Sequence, residues 1–529
     1  MNHLLLAIDV GTTSARAGVF DPGGSEIAAG TASLAVLRPR DDHAVYRMAE
    51  IWAAACIAIR RALQGGGGLG PRIVGIAFGA TTGLVLQHDG APPLEGGADV
   101  FGAMDMRAVA EAEDITRGGD AWLDHMGGSV SAQNPLPRLM WLKRHDPMAW
   151  QRVTAVLDLC DELVLRASGD DRHSLSALAT QWPYDAGKED PWRYGLLAEL
   201  DLAEVWSMGG LSGDHVRPGE MQGRLLSSVA GELGLQPGIP VGGGLLDRHA
   251  ALFGAMGRNM RGRSDGTATL VGGFATSLMM LSGELHYVPG VDGPSRDAVL
   301  PGLWTYEARQ PYTGAALDDV LTGHPSGPGL ASAAEHDLAA GEVLDVLARE
   351  GPGFASGRHI LPDWFGNRTP QDDRSLRALD LGADDGHSRR SFLETYYATA
   401  RAIALQMRHI VSHLNAHEFA IDRICLAGAH SRNKLLGRLY QDALGVDLVV
   451  PGGADPVLLG IAMAAAAAAG IYPDIAAAVD VMAPPQARLQ ADSSWRRAHD
   501  AAYRIYGQMV AFRGDIARQS EALAALRTA

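Results

Sequence analysis

Apolar positions open the chain: Leu4 to Ile8 run without a polar residue into Asp9, a Gly11-Thr12-Thr13-Ser14 turn follows, and a second apolar run leads to Asp21. Uninterrupted aliphatic runs of this length read as buried strands, so the pattern predicts a hairpin with a carboxylate at its mouth. Gly11 is expected to let the backbone turn tightly, so that amides and the Thr12 and Thr13 hydroxyls face an anion such as phosphate. Asp9 is then expected to hold a hydrated magnesium ion, because carboxylate and phosphate repel unless a hard cation lies between them. An ordinary hairpin with a polar turn is the alternative reading of this fragment.

Further along, the apolar spacing changes between periods of two and of 3.6. Met48 to Leu63 has helical spacing and stops at the glycines 65 to 68. Ile73 to Phe78 reads as a buried strand ending at Gly79-Ala80-Thr81-Thr82, with a second strand from Leu84 to Gln87. Strand ends of this kind present ligands in open α/β sheets. Pro137 to His145 is predicted as a helix and Val153 to Ser168 as a strand passing into one. A strand from Gly238 to Val241 leads through Gly242-Gly243-Gly244 to Leu245-Leu246-Asp247-Arg248-His249, which opens a helix closing near Gly257. A strand pair, Thr267 to Leu281, surrounds Gly272-Gly273. Phe392 to Asn415 has the pattern of a long amphipathic helix. It is followed by a strand, Ile424 to Ala427, a loop Gly428-Ala429-His430-Ser431-Arg432-Asn433, a helix to Leu444 and a strand, Leu448 to Val450. The alanine-dominated run Ile461 to Ile471 is too short to span a bilayer and reads as a tightly packed buried helix. Strand, glycine loop and helix recur in both halves, which predicts two related α/β domains, 1–257 and 258–529, although no strict repeat is visible.

At 529 residues the chain exceeds what one core supports. A net charge of -16 argues against a nucleic-acid partner and directs attention to a small molecule. The three cysteines, Cys56, Cys160 and Cys425, lie in apolar contexts without Cys-x-x-Cys spacing and read as core thiols of a cytoplasmic protein. No basic region and cleavage site precedes the first strand, so no secretory signal is expected.

Five fragments in order resemble the FGGY carbohydrate kinases: Asp9 to Ser14, Met104-Asp105-Met106-Arg107-Ala108, Leu245 to Ala250, Gly272-Gly273, and Gly428 to Asn433. Within that family the ribulose and ribitol kinase branch is similar in Gln181-Trp182-Pro183-Tyr184-Asp185, in Gln310-Pro311-Tyr312-Thr313-Gly314 and in Leu361-Pro362-Asp363-Trp364-Phe365-Gly366-Asn367-Arg368. The resemblance implies two actin/hexokinase-like (ribonuclease H-like) ATPase domains flanking a cleft, in a class of α/β proteins. The N-terminal domain would carry sugar and base, the C-terminal one the nucleotide. It implies ATP and Mg2+ as cofactors, a pentulose or pentitol as acceptor, and a homodimer. Xylulose, erythritol or glycerol kinases are the alternatives, as is a non-catalytic sugar or nucleotide sensor.

Phosphoryl transfer needs an acceptor hydroxyl held in line, charge neutralised, and a proton accepted. Asp247, behind a strand and three glycines and at the start of a helix, suits the last task, a simple N-cap being the other reading. By resemblance, Asp9 serves magnesium, Gly11, Thr12 and Thr13 the γ-phosphate, and Arg16 lies beside phosphate or sugar. Asp105 and Arg107 either bind sugar hydroxyls or form a solvated loop ion pair. Trp182 either stacks on the sugar or packs in the core. Gly272, Gly273 and Thr276 form a second phosphate turn. Gly428, Ala429 and Asn433 line the nucleotide site, while Ser431 and Asn433 can also cap the next helix, which is the simpler reading of Ser431. The family's Gly-Thr-Ser at the second turn is here Gly273-Phe274-Ala275. Either Thr276 reaches the phosphate, or backbone amides act alone, or activity is lost. Gly79 stands where the ribulose branch tends to place aspartate, Val45-Tyr46 replaces Glu-Gln, and Arg248 replaces a small residue beside the base, where it is expected to lower the pKa of Asp247.

Overall fold

The computed structural model describes residues 3–208, 211, 214–383, 386–489 and 493–525. The chain gathers into two units that interleave in sequence. The first comprises Met1–Thr269, Met279–Glu307 and Pro451–Gln486, the second Leu270–Leu278, Ala308–Val450 and Ala487–Ala529. A late segment therefore returns to the first unit, and it contains the alanine-rich helix.

In the first unit, β1 (Leu4–Val10), β2 (Ser14–Phe20) and β3 (Glu26–Ser33) form an antiparallel meander. After helix α1 (Met48–Gln64), strand β4 (Ile73–Ala80) pairs parallel with β1. The sheet continues through β5 (Met221–Arg224) and β6 (Pro240–Gly242) in the order β5-β6-β4-β1-β2-β3, and the short β7 (Leu245–Leu246) pairs with the end of β4. From β7 the chain enters α2 (Asp247–Met256) directly, and the alanine-rich segment forms α3 (Pro456–Ala468).

The period-two alternation of β1 sorts its side chains between two cores. Leu4, Leu6, Ile8 and Val10 pack with Ile51, Ala55 and Ile59 of α1 on one face. Leu5 and Ala7 pack with Phe253 of α2 and with Leu458, Ile461 and Ala465 of α3 on the other. Asp9, next in that second series, therefore belongs to the face covered by α2 and α3. These two helices cross at backbone contact: a Cβ on Gly460 would lie 1.9 Å from Ala250 O, and one on Gly254 would lie 2.0 Å from Pro456 O. Such proximity explains why the helix is built of alanine and glycine. The same helix borders Gly79, whose Cβ would meet Ile461 Cδ1 at 2.5 Å, so that a side chain there requires Ile461 to shift.

In the second unit, helix Arg389–Ala416 packs on helix Lys434–Leu444, and strand Arg423–Gly428 runs parallel to Asp447–Pro451. Strands Thr267–Gly272 and Thr276–Ser282 flank the Gly272-Gly273 turn as the pattern predicts. Two strands went unread in the sequence: Val291–Arg296, which belongs to the first unit, and Trp304–Gln310, at the boundary between the two segments. Among the described residues, no helix is long and apolar enough to cross a membrane.

Gly460→Val forces a side chain into the α2 backbone, and overpacking of this kind costs about 1–3 kcal/mol. Thermal unfolding is expected to register the loss. Gly341→Ala serves as control, since its Cβ would meet nothing within 4 Å.

Candidate functional site

Asp9 is 1% exposed and stands opposite Arg16 in the β1–β2 register. Arg16 Nε and Nη2 both donate to Asp9 Oδ2, at 3.0 and 2.5 Å, while Nη1 donates to Asp455 Oδ2 at 2.7 Å. Among the described residues, nothing hydrogen-bonds the buried Asp9 Oδ1. Burial pushes the Asp9 carboxyl above its usual range, against the pull of Arg16 and with that of Asp455. Arg16 itself is held above its ordinary pKa by the two carboxylates, which outweigh its own desolvation. Asp455 caps α3, accepting from Val457 N at 2.9 Å, with Pro456 at the first helical position. Sequence reading passed over it, although Asp before Pro at the head of an apolar run is a recognisable cap signal.

Asp247 is reached through β4, which lies between the two acidic strand ends: Asp9 and Leu245 both pair with Gly79, and Val10 and Leu246 both pair with Ala80. Two strand spacings put β1 and β7 about 10 Å apart, with a carboxylate at the C-terminal edge of each. Asp247 is the first residue of α2, and its Oδ1 accepts from Arg248 N at 2.7 Å rather than from the second or third helical amide, so it does not act as an N-cap. Although this carboxylate keeps some contact with solvent, the surrounding protein pushes it up to about 6, the charge on Asp9 adding to the effect. Arg248 opposes the rise, as expected from the sequence, but does not prevail. Its guanidinium is occupied elsewhere, with Nε 2.9 Å from Glu307 Oε2 and Nη1 donating to Thr82 Oγ1 at 2.9 Å. The glycines before Asp247 serve packing rather than ligand approach: a Cβ on Gly243 would meet Val216 at 2.9 Å, and one on Gly244 the Cys160 backbone at 2.9 Å.

The first turn closes with Gly11 N donating to Ser14 O at 2.9 Å, and the Tyr46 hydroxyl donates to Thr12 O at 2.6 Å. Tyr46, a departure from the family pattern, thus braces the turn. Thr13 is exposed and Thr12 half-buried. A Cβ on Gly11 would make only ordinary contact with Ser14 O at 3.5 Å, so the turn does not itself require glycine. Space beside the backbone is what glycine leaves there.

In the second unit the other turn and the 428–433 loop touch. A Cβ on Gly272 would strike the His430 ring at 2.2 Å, and Gly428, at φ +75°, would strike Gly272 O. Gly273 is open, its Cβ meeting nothing nearer than Ala275 O at 3.8 Å. Carbonyls of this turn accept from the start of helix Gly314–Gly323: Thr313 N donates to Phe274 O at 2.9 Å and Gly314 N to Gly273 O at 3.0 Å. Thr276 is not available to a phosphate: it is 1% exposed and its hydroxyl bonds Thr313 Oγ1 at 2.9 Å. Phe274 and Ala275 occupy the exposed tip. Asn433, not Ser431, caps helix Lys434–Leu444, accepting from Leu435 N and Leu436 N at 3.0 Å, while Ser431 Oγ turns back to Gly428 O. Ala429 is exposed.

Three expected substrate contacts are closed. Asp105 is fully buried and accepts from Arg107 Nε, Arg107 Nη2 and Ala44 N at 2.8–2.9 Å. Arg107 lies between the Phe101 and Trp141 rings, 5.0 and 4.9 Å from their centroids. This is neither a sugar clamp nor a solvated loop pair but a buried ion pair. Trp182 is equally enclosed, donating from Nε1 to Asp158 Oδ2 at 2.7 Å and packing against Trp192, which leaves no ring face for a sugar.

A meander with parallel strands beyond it, in a chain of two compact units, is the fold of the proteins with two actin/hexokinase-like domains. The chain belongs to the FGGY family of carbohydrate kinases: the N-terminal domain model matches residues 4–254 and the C-terminal one residues 268–469. It is a carbohydrate kinase, and kinases of this family take ATP as phosphate donor. Similar chains include the FGGY carbohydrate kinase domain-containing protein of Danio rerio, 31% identical over 533 residues, with 95% of this chain and 97% of that one covered. The D-ribulokinase of Saccharomyces cerevisiae is 28% identical over 512 residues, covering 88% of this chain and 71% of its own. The xylulose kinase from Rhodospirillum rubrum shares the fold, with a TM-score of 0.76 at 21% identity over 97% of this chain and 99% of that one.

Trp182→Phe leaves Asp158 without its indole donor, and an unsatisfied buried acceptor costs about 1–3 kcal/mol. Urea unfolding is expected to shift by that amount, with the sugar KM unchanged within twofold. A large KM increase without loss of stability would return Trp182 to the substrate.

Proposed function

We propose that this kinase transfers the γ-phosphate of ATP to a hydroxyl of a pentulose or pentitol, D-ribulose or ribitol foremost. The carrying observation is the placement of Asp9 and Asp247 at strand ends on either side of β4. The preference for ribulose rests on similarity to the yeast D-ribulokinase, since a fold shared with a xylulose kinase does not choose between sugars.

Asp247 acts as general base. Its carboxylate is partly accessible, sits at a helix N-terminus, and is raised by burial to about 6, which strengthens it as a proton acceptor. Asp9 presents Oδ1, a buried oxygen without a protein partner, to a hydrated magnesium ion. When bound, that ion supplies charge neutralisation on the transferring phosphoryl group. Thr12 and Thr13 attend the phosphates beside the space that Gly11 leaves, and Gly272 and Gly273 shape the second turn, the Gly11 and Gly273 amides themselves being taken by Ser14 O and Ala275 O. Gly428, Ala429 and Asn433 belong to the nucleotide site, where the exposed small side chain of Ala429 permits close approach. A cytoplasmic setting accords with three cysteines that are all buried and, among the described residues, joined in no disulfide.

A coupled assay across ketopentoses and pentitols tests the assignment; no ADP above the blank with any of them would overturn it. Asp247→Asn is expected to lower kcat by about 10²–10⁴-fold while leaving the thermal transition in place. Only the carboxylate form accepts a proton, so turnover is expected to fall as pH drops through about 6, the value to which Asp247 is raised. A pH–rate profile with its acid limb near 4 would contradict this role.

A further inference from the structure

Asp455 divides its two oxygens between two tasks. Oδ1 caps α3, accepting from Val457 N at 2.9 Å and Leu458 N at 3.4 Å, whereas Oδ2 accepts from Arg16 Nη1 at 2.7 Å. Arginine and carboxylate ordinarily meet as a two-pronged fork in which each carboxylate oxygen accepts one N–H. Arg16 does not meet Asp9 in this way. Both its Nε and its Nη2 donate to the same oxygen, Oδ2, and Oδ1 stays buried and unpartnered. The third nitrogen, held by Asp455, is what fixes the guanidinium off-centre.

We propose that Asp455 is a positioning residue, anchoring Arg16 so that one oxygen of Asp9 remains open to the divalent cation. The inference rests on the reading of Asp9 as the cation's carboxylate. It assigns the cation no geometry. Without the anchor, the guanidinium is free to swing into the two-pronged pairing and cover Oδ1, with the cation displaced as a result. Asp455, 439 residues from Arg16 in the chain, is delivered by the helix that crosses α2 at backbone contact. Alignment of the cation site and placement of the base therefore share one support.

Asp455→Asn separates the tasks, because the asparagine oxygen still caps the helix and the amide nitrogen cannot accept from Arg16. The probe is Mn2+ titrated in the presence of ADP into the full-length protein, free ion being read by electron paramagnetic resonance. Asp455→Asn is expected to weaken Mn2+ binding about tenfold with the thermal transition unchanged. In an Arg16→Gln background the same change is expected to alter binding less than twofold, since the two residues act as a unit. Equal losses in both backgrounds, or no loss in either, would overturn the proposal. Should Arg16→Gln not fold, a crystal structure of Asp455→Asn decides: Arg16 on both oxygens of Asp9 supports the inference, and Arg16 unmoved overturns it. Asp9→Asn is the control for the reading beneath. If it leaves Mn2+ binding intact, Asp9 is not the cation's ligand and the inference falls with it, whatever Asp455 does.

Discussion

The first unit depends on two helices that touch the same face of its sheet and each other at backbone distance. Alanine and glycine at the crossing let α3 approach α2 so closely that no Cβ is tolerated at Gly254 or Gly460. Their N-terminal ends hold two carboxylates: Asp247 begins α2, and Asp455 caps α3. Close packing is stiff, because interiors at crystal density transmit displacement rather than absorb it. The positions of two carboxylates are thereby set by main-chain contact, the least adjustable kind available. Asp9 and Arg16 are set by the register of β1 and β2, on the face that those helices cover.

Much of this was legible in the sequence, for reasons that differ by residue. Strand β1, helix α1 and the helix opened by Asp247 carry strong local patterns, and each formed within a few residues of its expected bounds. Asp9 and Asp247 stood out as candidates because each follows an apolar run next to glycines. Asp455 did not, because its bond to Arg16 spans 439 residues, which no local pattern encodes. Residue type also misled where burial decides. Asp105, Arg107 and Trp182 are polar or amphipathic groups suited to a sugar, yet all three pair inside the protein, and polarity alone does not say whether a partner is protein or ligand. Likewise the three glycines before Asp247 suggested room for a substrate, whereas Val216, Cys160 and Ala468 fill the space around them.

Glycines at the two turns divide by what surrounds them. Gly272 and Gly428 are demanded by the protein, since each would collide with the other loop. Gly11 and Gly273 are not: a side chain at either would meet the protein at ordinary distance. A glycine that the fold does not require is most economically explained by something outside the fold, and an anion approaching backbone amides has that property. The same reasoning reads the Phe274-Ala275 replacement. With Thr276 buried against Thr313, the second turn lacks the side-chain hydroxyls of the family pattern, while its backbone stays braced by the start of helix Gly314–Gly323. The turn keeps its shape without hydroxyl assistance, its Gly273 amide closing on Ala275 O and its carbonyls holding the helix start.

The three charges around Arg16 explain why a buried carboxylate persists at Asp9. An isolated ionised group there is costly, and burial does raise its proton affinity. One arginine shared between two carboxylates leaves the trio with a net negative charge, with Asp9 buried and Arg16 and Asp455 partly exposed. A divalent cation at Asp9, as proposed, would supply positive charge there and ligate the oxygen of the trio that has no protein partner. Asp247, raised in part by the charge on Asp9, responds to it as well: neutralising Asp9 removes a cause of its elevated pKa and shifts it towards the ionised form a base requires.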